Sequence, residues 1–250
     1  MQQFIANLKN EGFKLAKRKK YWVFLILGCA VSMASALRLL IANYITDGMV
    51  SRESILGGLM NSNLFFVIIF FLPLMAIMAS CDLFVGEESD HTIRFSLMRP
   101  VRREKLFFSK ALAVFLLCAI DLAVIFVATT LTQLILGGGT GGIASSFGAC
   151  VLDLVPLAVL VLFFTLVNQL AKSSSLTVLL CVVLYLGLVA LGTYLPSVGG
   201  LVFVGYLRWH NLWIGTTLPF LPMLSRIGLL AGYGLVFACG GYLLFERKEA

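Results

Sequence analysis

Charge is scarce in this sequence: 250 residues include 19 Lys and Arg and 12 Asp and Glu, against a hydrophobic share of 60%. So little charge cannot clothe a water-soluble domain of this length, which excludes the soluble classes at the outset. Histidine occurs only twice. His91 and His210 stand at no metal-ligating spacing from each other or from a carboxylate, and neither has a Ser or Cys nucleophile in a recognisable motif, so the sequence offers no zinc site and no hydrolase. The cysteines Cys29, Cys81, Cys118, Cys150, Cys181 and Cys239 are spread singly without a CxxC pair and read as small buried hydrophobes. A phosphate-cradling loop is missing as well: the run from Gly137 to Gly142 precedes no Lys-Ser or Lys-Thr and reads as an uncharged flexible linker.

What the chain does have is apolar length, with a mean hydropathy of +0.99. A helix crosses a hydrocarbon core of about 30 Å in about 20 residues. Six runs of that order occur, from Tyr21 to Ile45, Leu64 to Phe84, Leu106 to Leu136, Cys150 to Ala171, Leu176 to Leu195 and Ile227 to Phe245. The remainder is too short and broken to form a separate soluble core, so the expectation is an all-α, polytopic membrane protein, one domain over residues 1–250. Ile26-Leu27-Gly28-Cys29 imitates a lipoprotein cleavage site, but the apolar run continues for about four turns beyond Cys29, which fits a retained helix.

Lys and Arg bias sets the expected orientation, because basic loops resist translocation. With both termini in the cytoplasm, the basic clusters at Lys9 to Lys20 and Arg94 to Lys110, with Lys172, Arg247 and Lys248, all lie inside, leaving only Arg52, Arg208 and Arg226 outside. The net charge of +7 is then a feature of the inner surface, suited to anionic lipids of the cell membrane rather than to nucleic acid. Residues 1–20 place Phe4, Ile5, Leu8, Gly12, Leu15 and Ala16 on one helical face and Lys14, Lys17 and Arg18 on the other, predicting an interfacial amphipathic helix; an irregular basic anchor is the alternative. Residues 196–226 hold several Pro and Gly together with Trp209 and Trp213. They predict one or two short helices re-entering the outer leaflet, with a kinked seventh span as the alternative.

The longest concentration of charge is Glu87 to Lys110, EESDHTIRFSLMRPVRREKLFFSK. Its acidic start, apolar turn (Ile93, Phe95, Leu97, Met98), basic end and Pro100 stop describe a short helix with an apolar docking face, in a cytoplasmic region over 85–105. This stretch, directly after a span ending CDLFVG, resembles the cytoplasmic signature of the type-2 permease family of ATP-binding-cassette exporters, including bacterial bacitracin- and lantibiotic-type export and immunity permeases. Glu87, Glu88, Thr92, Pro100, Val101, Arg103 and Lys110 match that pattern, while His91 stands where glycine is usual.

The resemblance implies a permease that dimerises with itself or a homologous permease. It also implies two separate ATPase subunits, which carry the ATP and magnesium, this chain holding no cofactor and no catalytic residue. Coupling to them would run through Glu87, Glu88, Thr92, Arg99, Pro100, Arg103 and Lys110, with Lys172 to Ser175 as a second contact. A membrane sensor or immunity module that binds antimicrobial peptide or anchors an ATPase is the competing reading; a secondary transporter is disfavoured for want of an inverted repeat.

Three charges fall within the runs. Counted from the ends of their spans, Arg38, Asp121 and Asp153 all reach the outer half of the membrane, where they form a structural pair, line a polar route, or leave Arg38 snorkelling. Asp82, by the same count, sits at the inner interface.

Overall fold

The computed structural model describes residues 2–45, 56, 59–87, 102–171, 173–195, 199–212 and 220–248. Helix α1 (Gln2–Lys17) precedes α2 (Lys19–Ile45) with a break only at Arg18. Helix α3 is composite: Leu59–Phe66, a π-helical turn Val67–Phe71, Leu72–Cys81, and a second π-helical turn Asp82–Gly86. Then come α4 (Arg103–Ile135), α5 (Ile143–Asn168), α6 (Ser174–Tyr194), two 3-10 turns (Phe203–Tyr206 and Trp209–Leu212) and α7 (Phe220–Lys248). Six of these helices are long and apolar enough to cross a membrane, matching the six expected runs.

The boundaries differ where local chemistry overrides hydropathy. Helix α4 has 33 residues, roughly 50 Å at 1.5 Å per residue, so it projects well beyond a 30 Å core. Helix α5 starts at Ile143 rather than Cys150, because Gly142 adopts the left-handed conformation (φ 79°) that ends the preceding turn and releases the chain into a helix. The glycine run is a folded turn rather than a loose linker. Gly137 and Gly139 also have positive φ, and the Gln133 amide donates to the Gly139 and Gly141 carbonyls at 3.1 Å each. Helix α7 starts at Phe220 rather than Ile227; Pro222 lies in its first turn, where no intrahelical N–H is lost.

Helices α3 and α5 form the buried centre, while α2, α6 and α7 leave most of their apolar surface outward. Helices α2 and α4 pack closely because Gly28, Ser32 and Ala36 are buried at four-residue spacing, a small-residue stripe that admits a neighbour. The Thr129 hydroxyl contacts that of Ser32 at 3.0 Å, and Ile125 lies against Gly28. Both π-helical turns of α3 present a backbone carbonyl to another helix: the Tyr185 hydroxyl donates to Ile69 and the Lys110 ammonium to Leu83. The 3-10 segment folds back into the bundle, Phe203 packing between Phe163 and Phe237 at 5.2 Å from each ring. No seventh long helix forms from the described part of residues 196–226, as short helical turns were expected there. The amino-terminal stretch is a regular helix rather than an irregular anchor.

Candidate functional site: a charge clamp at the basic end

Helix α1 packs mainly on α4. Asn7, Glu11 and Leu15, at four-residue spacing, are its buried residues, whereas Ile5 and Phe13 face outward. The face toward the protein thus contains an acid, Glu11, only 2% exposed. Burial on that scale calls for a partner, and Lys14, one turn on, supplies it at 2.8 Å.

Lys14 also reaches Glu87 at 2.7 Å, and the other oxygen of Glu87 meets Lys110 at 2.7 Å. Lys110 is completely buried; its ammonium donates in addition to the Leu83 carbonyl at 2.7 Å and sits 5.6 Å from the centre of the Phe84 ring. Three helices, α1, α3 and α4, are therefore joined by one alternating chain of charges, Glu11, Lys14, Glu87 and Lys110. Burial pushes the Glu87 carboxyl up, but Lys110 and Lys14 more than offset this and hold it below its usual range. Glu11 ends higher than usual, through its own burial and the nearby Glu87 carboxylate. Burial depresses Lys14, yet its two carboxylate partners leave it raised.

A second cluster stands beside the first. Asp82 accepts Arg18 at 2.8 Å, Lys20 at 2.5 Å and the Tyr21 hydroxyl, which fixes the junction of α1 and α2 to the π-helical end of α3. At the start of α4, the Arg103 guanidinium donates to the Glu246 carbonyl of α7 at 3.3 Å.

Of the residues singled out in the sequence, Glu87 and Lys110 thus meet directly, and Arg103 is nearby on the same end. Glu88, Thr92, Arg99 and Pro100 lie outside the described residues, as does Lys172. Of the described residues that flank that stretch in sequence, Glu87 is held by two lysines and Arg103 by α7. Glu11 and Lys14 went unread as site residues. Their signal was present, an acid between Leu8 and Leu15 on the apolar face.

The three intramembrane charges do not meet. The pairs Gly28 with Ile125 and Ser32 with Thr129 set the register of α2 on α4 at an offset of 97 residues. Arg38 is therefore level with position 135, about 21 Å along the axis from Asp121. By the same register Asp121 is level with position 24, near the start of α2, and α4 extends 15 residues below the level of Tyr21 (118 − 103). Arg38 is exposed on α2 and makes no ion pair among the described residues.

Asp153 is buried and engaged by His210 instead: the His210 backbone N–H donates to one oxygen at 2.8 Å, and its Nδ1 lies 2.5 Å from the other. His210 meets the Asp153 carboxylate because the 3-10 segment returns across 57 residues of sequence. Asp121 is 1% exposed and neither of its oxygens has a hydrogen-bond partner among the described residues. No cluster of metal-ligating side chains occurs among those residues.

Residues 7–189 match the family model described as ABC-2 family transporter protein. No curated protein matches the chain.

Proposed function

The chain belongs to the ABC-2 family of transporter proteins, a multi-pass membrane family, and from that premise we propose that it is the permease of an ATP-driven exporter. Two copies, or one copy and a homologous permease, form the path, and two separate ATPase subunits bind at the basic end, which faces the cytoplasm along with both termini. Those subunits carry the ATP and magnesium. The cargo class is an amphipathic peptide, lipid-like molecule or drug, with bacitracin- and lantibiotic-type peptides the leading candidates.

The observation that carries this reading is the clamp. An element that receives force from a partner must be joined rigidly to the helices it moves, or the displacement is lost locally. Glu87 and Lys110 are buried, so their part in coupling is to anchor the stretch bearing Glu88, Thr92, Arg99 and Pro100, which supplies the docking surface. Arg103 anchors the other end.

The test is reconstitution of the permease with its ATPase in proteoliposomes, followed by ATP hydrolysis and vectorial efflux of a peptide antibiotic. Glu88→Gln and Arg103→Ala are expected to leave basal hydrolysis in place and to reduce efflux per ATP by about tenfold. Normal coupling in both variants would refute the assignment. Peptide binding without any vectorial movement would place the protein among sensor or immunity modules instead.

A further inference from the structure

Between α1, α2 and α4 lies a cavity of about 390 Å³, separate from the charge clamp. Its walls are apolar, with Leu8 and Phe13 from α1, Trp22 and Leu25 from α2, and Leu116 and Ile120 from α4. One carboxylate lines it, that of Asp121. Asp121 is 1% exposed and both of its oxygens lack a partner among the described residues. The cations nearby are otherwise committed: Arg18 and Lys20 to Asp82, Lys14 to Glu11 and Glu87, and Lys110 to Glu87. Lys9 lines the cavity too, but on the exposed side of α1.

An acid enclosed by hydrocarbon walls with no donor is costly, and sites of this makeup bind ligands that bring the missing group. We propose that this cavity is a binding site for a single-chain amphiphile carrying a primary ammonium, whose N–H groups are accepted by Asp121 and whose chain lies against Leu8, Phe13 and Leu116. The volume is at the low end of the range for drug-sized ligands, which suits one alkyl chain and excludes enclosure of a whole diacyl lipid. Entry is from the side, past Trp22 and Phe13, each 59% exposed, so the ligand arrives from the leaflet at the basic end without crossing the bundle. The site goes beyond the permease reading and does not need it, since binding is measured on this chain alone.

Equilibrium binding of radiolabelled dodecylamine to the protein in phosphatidylcholine nanodiscs, corrected for empty discs, tests the proposal. One saturable site per chain is expected, weakened at least tenfold by Asp121→Asn and poorly displaced by dodecanol. Gly12→Leu fills the cavity without touching the acid. Gly12 lines it, and a Cβ built there meets nothing within 4 Å, so this variant should fold and also lose binding tenfold or more. Absence of a saturable component, equal displacement by dodecanol, or wild-type affinity in Asp121→Asn would overturn the site. Should Asp121→Asn fail to fold, wild-type binding by Gly12→Leu would overturn it alone.

Discussion

Replacing Glu87 with Gln should separate the two acids of the clamp. Glu87 is 7% exposed and accepts Lys14 and Lys110, each at 2.7 Å, while Lys110 is fully buried and after the change has, among the described residues, the Leu83 carbonyl, the Phe84 ring and a neutral amide oxygen where its carboxylate partner stood. An uncompensated buried charge costs about 3 to 5 kcal/mol. With about 2 to 4 °C of Tm per kcal/mol for a chain of this size, the expected drop is roughly 6 to 20 °C. Glu11→Gln should differ. The Glu11 carboxyl is already raised by burial and by Glu87, so neutralising it relieves both and should move Tm by less than about 4 °C, about 1 kcal/mol. The assay follows from the cysteines: Cys81, Cys118, Cys150 and Cys181 are buried, so a thiol-reactive fluorophore reports unfolding in detergent. Pairing Glu87→Leu with Lys110→Met should recover at least half of the loss, because removal of both charges leaves none unpaired. Equal Tm losses from the Glu87 and Glu11 substitutions, or no recovery in the pair, would refute the clamp as the tie between α1, α3 and α4.

Other parts of the structure make separate forecasts. A Cβ at Gly28 would lie 2.7 Å from Ile125 Cδ1 and 3.2 Å from Phe71, so Gly28→Val should cost about 1 to 3 kcal/mol in the same thermal assay. Tyr185→Phe removes the donor to the Ile69 carbonyl in the π-helical turn and should lower stability by about 1 kcal/mol, measured as a Tm shift. Asp153→Leu should release the 3-10 segment, seen as faster hydrogen exchange over residues 199–212 and little change in α3. With its folded carboxyl held below the ordinary 4.5, Glu87 contributes stability that is complete above that value and is lost as pH falls through the depressed one. Melting by circular dichroism should show this acid slope in the wild type and a shallower one in Glu87→Gln.

Apolar length made the six spans readable, because a bilayer imposes the same requirement on every one of them. Depth was not readable, because hydropathy says where a helix can be buried and not where its neighbours begin. Asp121 shows the difference: α4 begins 15 residues before the level of Tyr21 (118 − 103), so a count from its first apolar residue is not a depth shared with α2. Lys110 stands out in the sequence through its place in the charged stretch, whereas its carbonyl acceptor Leu83 and its carboxylate partner emerge only when α3 and α4 are side by side. His210 and Asp153 were both noticed, but a contact across 57 residues leaves no trace in spacing. Glu11 was legible in principle, since a lone acid at the i+3 position from Leu8 breaks an otherwise apolar face and implies a basic partner.

The π-helical turns of α3 also govern how this chain can be compared with its relatives. Each such turn accommodates one residue more than α-helical winding would, which advances everything beyond it by about 100° around the axis. Residues before Val67 and after Gly86 are therefore out of phase with a single uniform wheel drawn through α3. A relative lacking one residue within either turn could wind that stretch as plain α-helix and still present the same side of the helix to Lys110 or Tyr185. A single-residue gap inside either turn should be read as the loss of a π-helical turn, with the flanking faces kept in register.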